Sequence, residues 1–465
     1  ITMNALLNYN EIFNNHTFGG LLGVERFTSD EMNLSAFRKY FPSEAIDQLF
    51  AGGDLEKDNN GSANQSARLN YFGRFNYNFK SKYLAEFVFR YDGSYIFHRD
   101  YRFGFFPGFS LGWVMSEEEY WKENIPLFNH FKLRGSWGQT GNDRISAYQY
   151  LATYGFRTDW KNKYIFNVNE ENTALKELRI PFEQVTWEVA NQSNIGIDLQ
   201  MLDGKFSATL EYFYNFRDNI LEYRNASVPL STGLTLPREN IGQVRNRGFE
   251  VVLSYSDKIG AFSYTISPNI SYASNKIVFW DETPNIEDYR KSTGRPIGAG
   301  LYYQAIGIFK DQAHLDSYPH LPSSKPGDIV FKDVNDDQKI DGLDQVRSNN
   351  NSIPKYFGGM NIDMKYCNFY TSIFLQGAAG NESNYYQFIT EDRWTKDNLG
   401  ANNPRAAILA RGGRVYWSEL ANTHFLKRGD YLRLKSLEIG WLIPDNVTKR
   451  LGLSELNLYI SGMNL

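Results

Sequence analysis

The stretch SKYLAEFVFRYDG alternates with a period of two. Tyr83, Ala85, Phe87, Phe89 and Tyr91 share one face, and Leu84, Glu86, Val88, Arg90 and Asp92 share the other. Successive side chains of a β-strand point to opposite faces, whereas a helix groups residues three and four apart. The segment therefore predicts a strand with one aromatic and one mostly polar face. FKLRGSWG sets Phe131, Leu133 and Trp137 against Lys132, Arg134 and Ser136; QSNIGIDLQML sets Ile195, Ile197, Leu199 and Met201 against Asn194, Gly196, Asp198 and Gln200. KFSATLEYFYN sets Phe206, Ala208, Leu210, Tyr212 and Tyr214 against Ser207, Thr209, Glu211 and Asn215. A soluble sandwich also alternates, but its strands run to about five or six residues. These run about nine to eleven, the length a tilted strand needs to cross a bilayer, and they carry aromatic rings near their ends.

Roughly fourteen to sixteen such segments follow one another, many as hairpins. The clearest turns at Lys80, Ser81 and Lys82, and another joins GFEVVLSYSD to KIGAFSYTIS. Short turns such as Leu202 to Gly204 and Ser256 to Gly260 alternate with long polar stretches at about 26–66, 139–182, 275–300, 310–355 and 378–428. Short turns at one rim and long loops at the other are the build of an outer-membrane barrel. The reading is an all-β chain forming an antiparallel transmembrane β-barrel with long extracellular loops.

Composition agrees. Aromatic residues make up 16% of the 465, with 31 Tyr, 34 Phe and 9 Trp. Mean hydropathy is -0.49, and no apolar run is long enough for a membrane helix. A barrel tolerates both, because each strand mixes apolar and polar positions. The net charge of -4, with Lys and Arg scattered, gives no sign of a nucleic-acid partner. The one cysteine, Cys367, rules out an intrachain disulfide framework. The opening ITMNALLNYN has neither an initiator Met nor the layout of a secretion signal, so residue 1 is expected not to be the natural start.

Several long stretches resemble the SusC-like (SusC/RagA) branch of the TonB-dependent outer-membrane transporters. The first block is YFGRFNYNFKSKYLAEFVFRYDGS with RFGFFPGFSLGWVMSEEEYW and FKLRGSWGQTGN. WEVANQSNIGIDLQMLDGKFSATLEYFYNFRDNIL, NIGQVRNRGFEVVLSY, PGDIVFKDVNDDQKIDGLDQ, YLRLKSLEIGWLIP and LNLYISGMNL follow in the family's order, covering the chain from about residue 66 onward. The resemblance implies a barrel of about 22 strands when complete, behind an N-terminal plug. On that footing residues 1–465 are expected to be part of the barrel, without the plug and the last strands. It further implies active import of oligosaccharides or oligopeptides across the outer membrane. The implied partners are a SusD-like surface lipoprotein, the TonB–ExbB–ExbD complex and outer-membrane lipid, with a glycan or peptide as substrate. A passive porin or a surface adhesin on a similar barrel is the alternative. A soluble β-rich carbohydrate enzyme is a third, but it requires a carboxylate pair across a cleft, and the sequence supplies no arguable one.

The motif DVNDDQKIDGLD places Asp333, Asn335 and Asp337 at positions one, three and five, the Lys339 carbonyl at seven and Asp344 at twelve. That is the ligand spacing of an EF-hand-type calcium loop and would put Ca2+ in an extracellular loop. Gln338 stands where position six is usually Gly, and Asp344 where twelve is usually Glu, so an acidic solvated loop is the alternative. GFSLG around Ser110 has the nucleophile-elbow spacing, but it lies in an aromatic strand with no helix pattern after it. The six histidines show no metal-ligand spacing, His314 and His320 sharing an ordinary polar loop. The Asn-x-Ser/Thr triplets at Asn15 and Asn60 follow from high Asn content. No catalytic residue is expected, and the chain is read as a transporter wall, not an enzyme. Sugar rings stack on flat side chains, so the expected ligand contacts are loop aromatics with their polar neighbours: Trp280, Tyr302, Tyr303, Tyr385, Tyr386, Asp392, Arg393 and Trp394.

Overall fold

The computed structural model describes residues 1–157, 164–167, 170–172, 174–224, 236–322, 324–384, 392–405 and 420–465. Its frame is a fourteen-stranded sheet in which every strand lies beside its neighbour in sequence. The strands are β1 (Thr2–Phe13), β2 (His16–Phe37), β3 (Asp58–Phe79), β4 (Tyr83–Ser94), β5 (Phe103–Val114), β6 (Phe128–Asn142) and β7 (Glu188–Met201). They continue as β8 (Phe206–Tyr223), β9 (Arg238–Ile259), β10 (Phe262–Phe279), β11 (Tyr356–Tyr366), β12 (Phe369–Ala379), β13 (Tyr431–Leu442) and β14 (Asn457–Met463).

The turns obey backbone chemistry. Lys80 and Ser81 take φ of 53° and 56° between the paired ends Phe79 and Tyr83, and the Asn78 side chain accepts from the Ser81 N–H. Gly260 at φ 61° and Cys367 at φ 52° open the tight turns that join β9 to β10 and β11 to β12. Left-handed residues match the right-handed twist of the flanking strands, which is why hairpins recruit them. Short and long connections alternate along most of the sheet; the exceptions are 115–127 and 443–456, connections at the short-turn end that carry short helical turns.

The expected loops are shorter than the sequence suggested at several places, β6 for example running to Asn142. Residues 26–37 and 58–66 are strand: β2 and β3 stay paired from Thr28–Ala67 out to Phe37–Asp58. β10 likewise continues to Phe279. β2, β3 and β9 each reach 22 residues. Even tilted by about 45°, such a strand rises about 50 Å, well past the bilayer's hydrocarbon core of about 30 Å. Polar residues outside the membrane therefore carry on the pairing begun within it, which hides them from an apolar-alternation count.

The chain divides into two compact units. One comprises 1–111, 138–189 and 233–240; the other comprises 112–137, 190–232 and 241–465. In the first, the aromatic face is continuous across strands: ring centroids lie 4.8 Å apart for Phe87 and Phe109, 4.9 Å for Tyr91 and Phe103, and 4.9 Å for Phe18 and Tyr77. Phe105, Phe109 and Leu111 on this face are exposed, as residues that meet lipid are. The opposite face carries Arg74 hydrogen-bonded to Glu86 and Asn70 to Glu25. Ser110 sits inside β5 on this second face, so no elbow forms around it. At the long-loop end Trp187 donates Nε1–H to the Arg102 carbonyl at 3.1 Å and meets Phe106 edge-on beside the fully buried Phe97.

In the second unit the alternation again separates chemistry. Ile195 and Tyr212 are exposed on one face. On the other, Arg134 of β6 spans Asp198 of β7 and Glu211 of β8, each at 3.0 Å. Asn194 joins Glu211 at 2.6 Å and Thr209 joins Asp198 at 3.2 Å. All five residues belong to the polar faces read from the sequence.

Candidate functional site

The polar face of the second unit holds a cavity of about 420 Å³ where β7, β8, β9 and β10 meet the ends of the connection between β10 and β11. Gln192, Asn215, Arg217, Asn246 and Asn275 line it from the strands, and Pro296, Ile297, Asn351, Ile353 and Lys355 from the connection. Register explains the grouping: Asn246 pairs with Asn275 and Gly248 with Ala273, so alternate residues of both strands face the same way. The connection is stitched to the wall. Asn275 accepts from the Ile297 N–H at 2.7 Å, Asn351 donates to the Ile297 carbonyl at 2.7 Å, and the Lys355 carbonyl accepts from the Ala273 N–H at 2.9 Å. Lys355 Nζ donates to Asn350 Oδ1 at 2.6 Å.

Each carboxamide supplies two N–H donors and an acceptor oxygen, and the two cations add charged donors. Such a lining grips hydroxyls, amides and carbonyls by hydrogen bonds. The volume suits a few sugar or amino-acid units. Sequence reasoning missed these residues because each is one polar position among many on alternating strands. The available signal was the carboxamides clustered in ANQSN and YNFRDN and the single Asn in each of VRNRG and YASNK, four segments that the topology makes neighbours.

Beyond the strands, residues 301–347, 392–405 and 420–428 build a loop body with its own core. Leu301–Tyr303 pairs with Gln345–Arg347, and Ala305–Ile308 with Ile329–Phe331. Tyr303, Leu321, Ile329, Phe331, Ile340 and Phe425 are buried together. The buried Asp328 carboxylate takes Arg405 Nε at 2.7 Å and Nη2 at 3.4 Å. Arg347 donates to the carbonyls of Arg290 and Ala299, and burial pulls its guanidinium below the usual arginine range.

This body takes up several expected ligand contacts. Tyr303 is a correction: it is buried against Phe331, ring centroids 4.9 Å apart, and burial raises its hydroxyl pKa, so its ring serves the core and does not face a solute. Trp394 lies over Gly327 and donates Nε1–H to the Lys310 carbonyl at 3.1 Å. A Cβ on Gly327 would stand 2.4 Å from the indole, and the φ of 89° there also favours glycine. Asp392 accepts from Asn398 and twice from Asn402, which lowers its pKa. Arg393 bridges to Asn403. Tyr302 is half-buried over Gly300, and Trp280 is half-buried just past β10. Tyr385 and Tyr386 lie outside the described residues. The expected ligand contacts thus divide, and none of the described ones lines the carboxamide cavity.

His314 and His320 set their rings edge-on to Phe309, which accounts for both as packing. Among the described residues no three His, Cys, Asp or Glu side chains gather as metal ligands. Asp333, Asn335, Asp337, Lys339 and Asp344 lie along one curled loop between the strands ending at Phe331 and starting at Gln345.

Comparison with known proteins decides the family. Residues 2–465 match the family model described as TonB dependent receptor-like, beta-barrel. The chain belongs to the TonB-dependent receptor β-barrel family. It is 26% identical to the TonB-dependent receptor P3 of Formosa agariphila over 99% of this chain and 47% of that protein. It is 25% identical to the TonB-dependent receptor SusC of Bacteroides thetaiotaomicron over 82% of this chain and 38% of that one. Among solved structures, the RagAB peptide transporter superposes with a TM-score of 0.76 at 18% identity, covering all of this chain and 51% of its counterpart. The chain spans about half the length of the relatives it matches. TonB-dependent receptor β-barrels are outer-membrane proteins, and the SusC-like resemblance holds. In such barrels the polar face lines the interior and long loops face outward, which puts the carboxamide cavity inside the wall toward the outer end.

Proposed function

We propose that the chain supplies wall and outer loops to an active importer of polar oligomers, oligosaccharides or oligopeptides, energised through TonB and fed by a SusD-like surface lipoprotein. The observation that carries this is the cavity: a carboxamide-lined pocket with Arg217 and Lys355 holds polar solute by hydrogen bonds at the outer end of the lumen. The likeness to SusC and to the RagAB peptide transporter supports the class, and the hydrogen-bonding lining suits both polymers. A passive porin needs no retaining site, so a built cavity favours the importer.

The test is uptake of labelled oligosaccharides and oligopeptides by whole cells expressing the full-length protein. Loss of uptake on deleting TonB or the neighbouring lipoprotein is expected, as is at least a tenfold drop with Asn215→Leu and Asn246→Leu together. Uptake that survives collapse of the proton gradient would establish the porin instead.

A further inference from the structure

We propose that Asp333–Asp344 is a calcium site that locks the outer loop body. The backbone of this segment is already curled for a cation. Asp333 at position one accepts the N–H of Gln338 at position six with Oδ2, at 2.9 Å. Asn335 accepts from Asp337 N–H at 3.3 Å, and Asp337 from Lys339 N–H at 2.9 Å. Each of these oxygens is thereby turned into the loop. Gln338 has φ 64°, the left-handed conformation for which calcium loops place glycine at position six. The residue that departs from the sequence pattern therefore keeps its geometry.

The observation that points to a ligand is separate from this curl. Asp333 is 7% exposed, and its second oxygen, Oδ1, is buried and accepts no hydrogen bond. A buried carboxylate oxygen without a donor is costly, and a cation removes the cost. Asp344, at 1% exposure, uses one oxygen for the Val334 N–H and the other for the Asp341 N–H, both at 2.8 Å. Each oxygen keeps a second lone pair. Five carboxylates against one lysine fall within these twelve residues. The mixed donor set of carboxylate, carboxamide and carbonyl oxygens is that of a hard cation, and calcium accepts such an irregular set where the smaller magnesium demands a strict octahedron.

The placement gives the ion a task. Phe331, two residues before the loop, and Ile340, inside it, are buried with Tyr303 in the loop-body core. The strand that follows, Gln345–Arg347, pairs with Leu301–Tyr303. Drawing positions one and twelve together fastens the two small strand pairs to each other.

The experiment uses the full chain in detergent, stripped with chelator and titrated with Ca2+ by calorimetry. Tb3+ emission excited through Tyr318, whose hydroxyl lies 3.5 Å from the Asp333 nitrogen, gives an independent reading. One saturable calcium is expected, with a dissociation constant of about 10⁻⁴ M, in the range of extracellular modules. Asp333→Asn and the exposed Asp337→Asn should each weaken it at least tenfold. Asp336→Asn, which supplies no ligand, should leave it within about twofold. Calcium should also slow protease cleavage of residues 301–347. The proposal is overturned if the unaltered chain takes up no saturable calcium at roughly 10 mM, or if Asp337→Asn binds it as tightly as the unaltered chain. Asp337 is solvated, so its replacement tests the site even should Asp333→Asn fail to fold.

Discussion

Arg134 lies across Gly196, so that a Cβ on the glycine would stand 2.6 Å from the guanidinium carbon. The missing side chain lets one arginine reach both Asp198 and Glu211 on the two following strands. Gly196→Ala is therefore expected to push the guanidinium aside and cost about 1–2 kcal/mol, the value of charge-assisted hydrogen bonds lost in a partly solvated site. On an Arg134→Ala background the same change should cost almost nothing. Urea unfolding in detergent across this double-mutant cycle checks it, and equal costs on both backgrounds would refute the account.

Asp328 and Arg405 are unequal partners. The carboxylate is 2% exposed and the guanidinium side chain 22%. Replacing Arg405 with Leu strands a buried anion, whereas replacing Asp328 with Asn leaves a cation that can turn to water. Arg405→Leu is thus expected to destabilise the loop body by about 3 kcal/mol and Asp328→Asn by clearly less. Hydrogen exchange of peptides within 305–331 reports the order.

His424 accounts for an acid sensitivity of the same region. Burial, with Lys427 nearby, depresses its pKa, and its Nε2 meets the Asn403 side-chain oxygen at 3.3 Å. A depressed basic group is held neutral in the folded loop and binds a proton more readily when unfolded. Its contribution is therefore complete above the unfolded value of about 6.5 and is lost as pH falls below that. Exchange of the 420–428 segment should speed up between pH 8 and pH 5.5, beyond the intrinsic pH effect, and should do so much less in His424→Gln.

Cys367 reports which way the sheet faces. It is exposed in the tight turn between β11 and β12, at the short-turn end. Short turns of these barrels face the periplasm. A maleimide on a polymer too large to pass the outer membrane should leave intact cells unlabelled and react after lysis. Labelling of intact cells would reverse the assigned orientation.

Much of this protein was legible in its residues because a strand's period of two is strictly local. Tyr83 to Tyr91 and Phe206 to Tyr214 declare their faces without any knowledge of neighbours, and the turn at Lys80 to Lys82 declares the hairpin. A local curl was also legible, as at Asp333 to Asp344, where the spacing of turn-forming side chains and the chain geometry are the same information. Register was not local. Only strand pairing brought Asn246 opposite Asn275 and set both beside Gln192 and Asn215, creating a cavity from residues that look ordinary singly. Burial was not local either: Tyr303 carries the same ring whether it faces a solute or a core, and it took the packing of Phe331 against it to bury it.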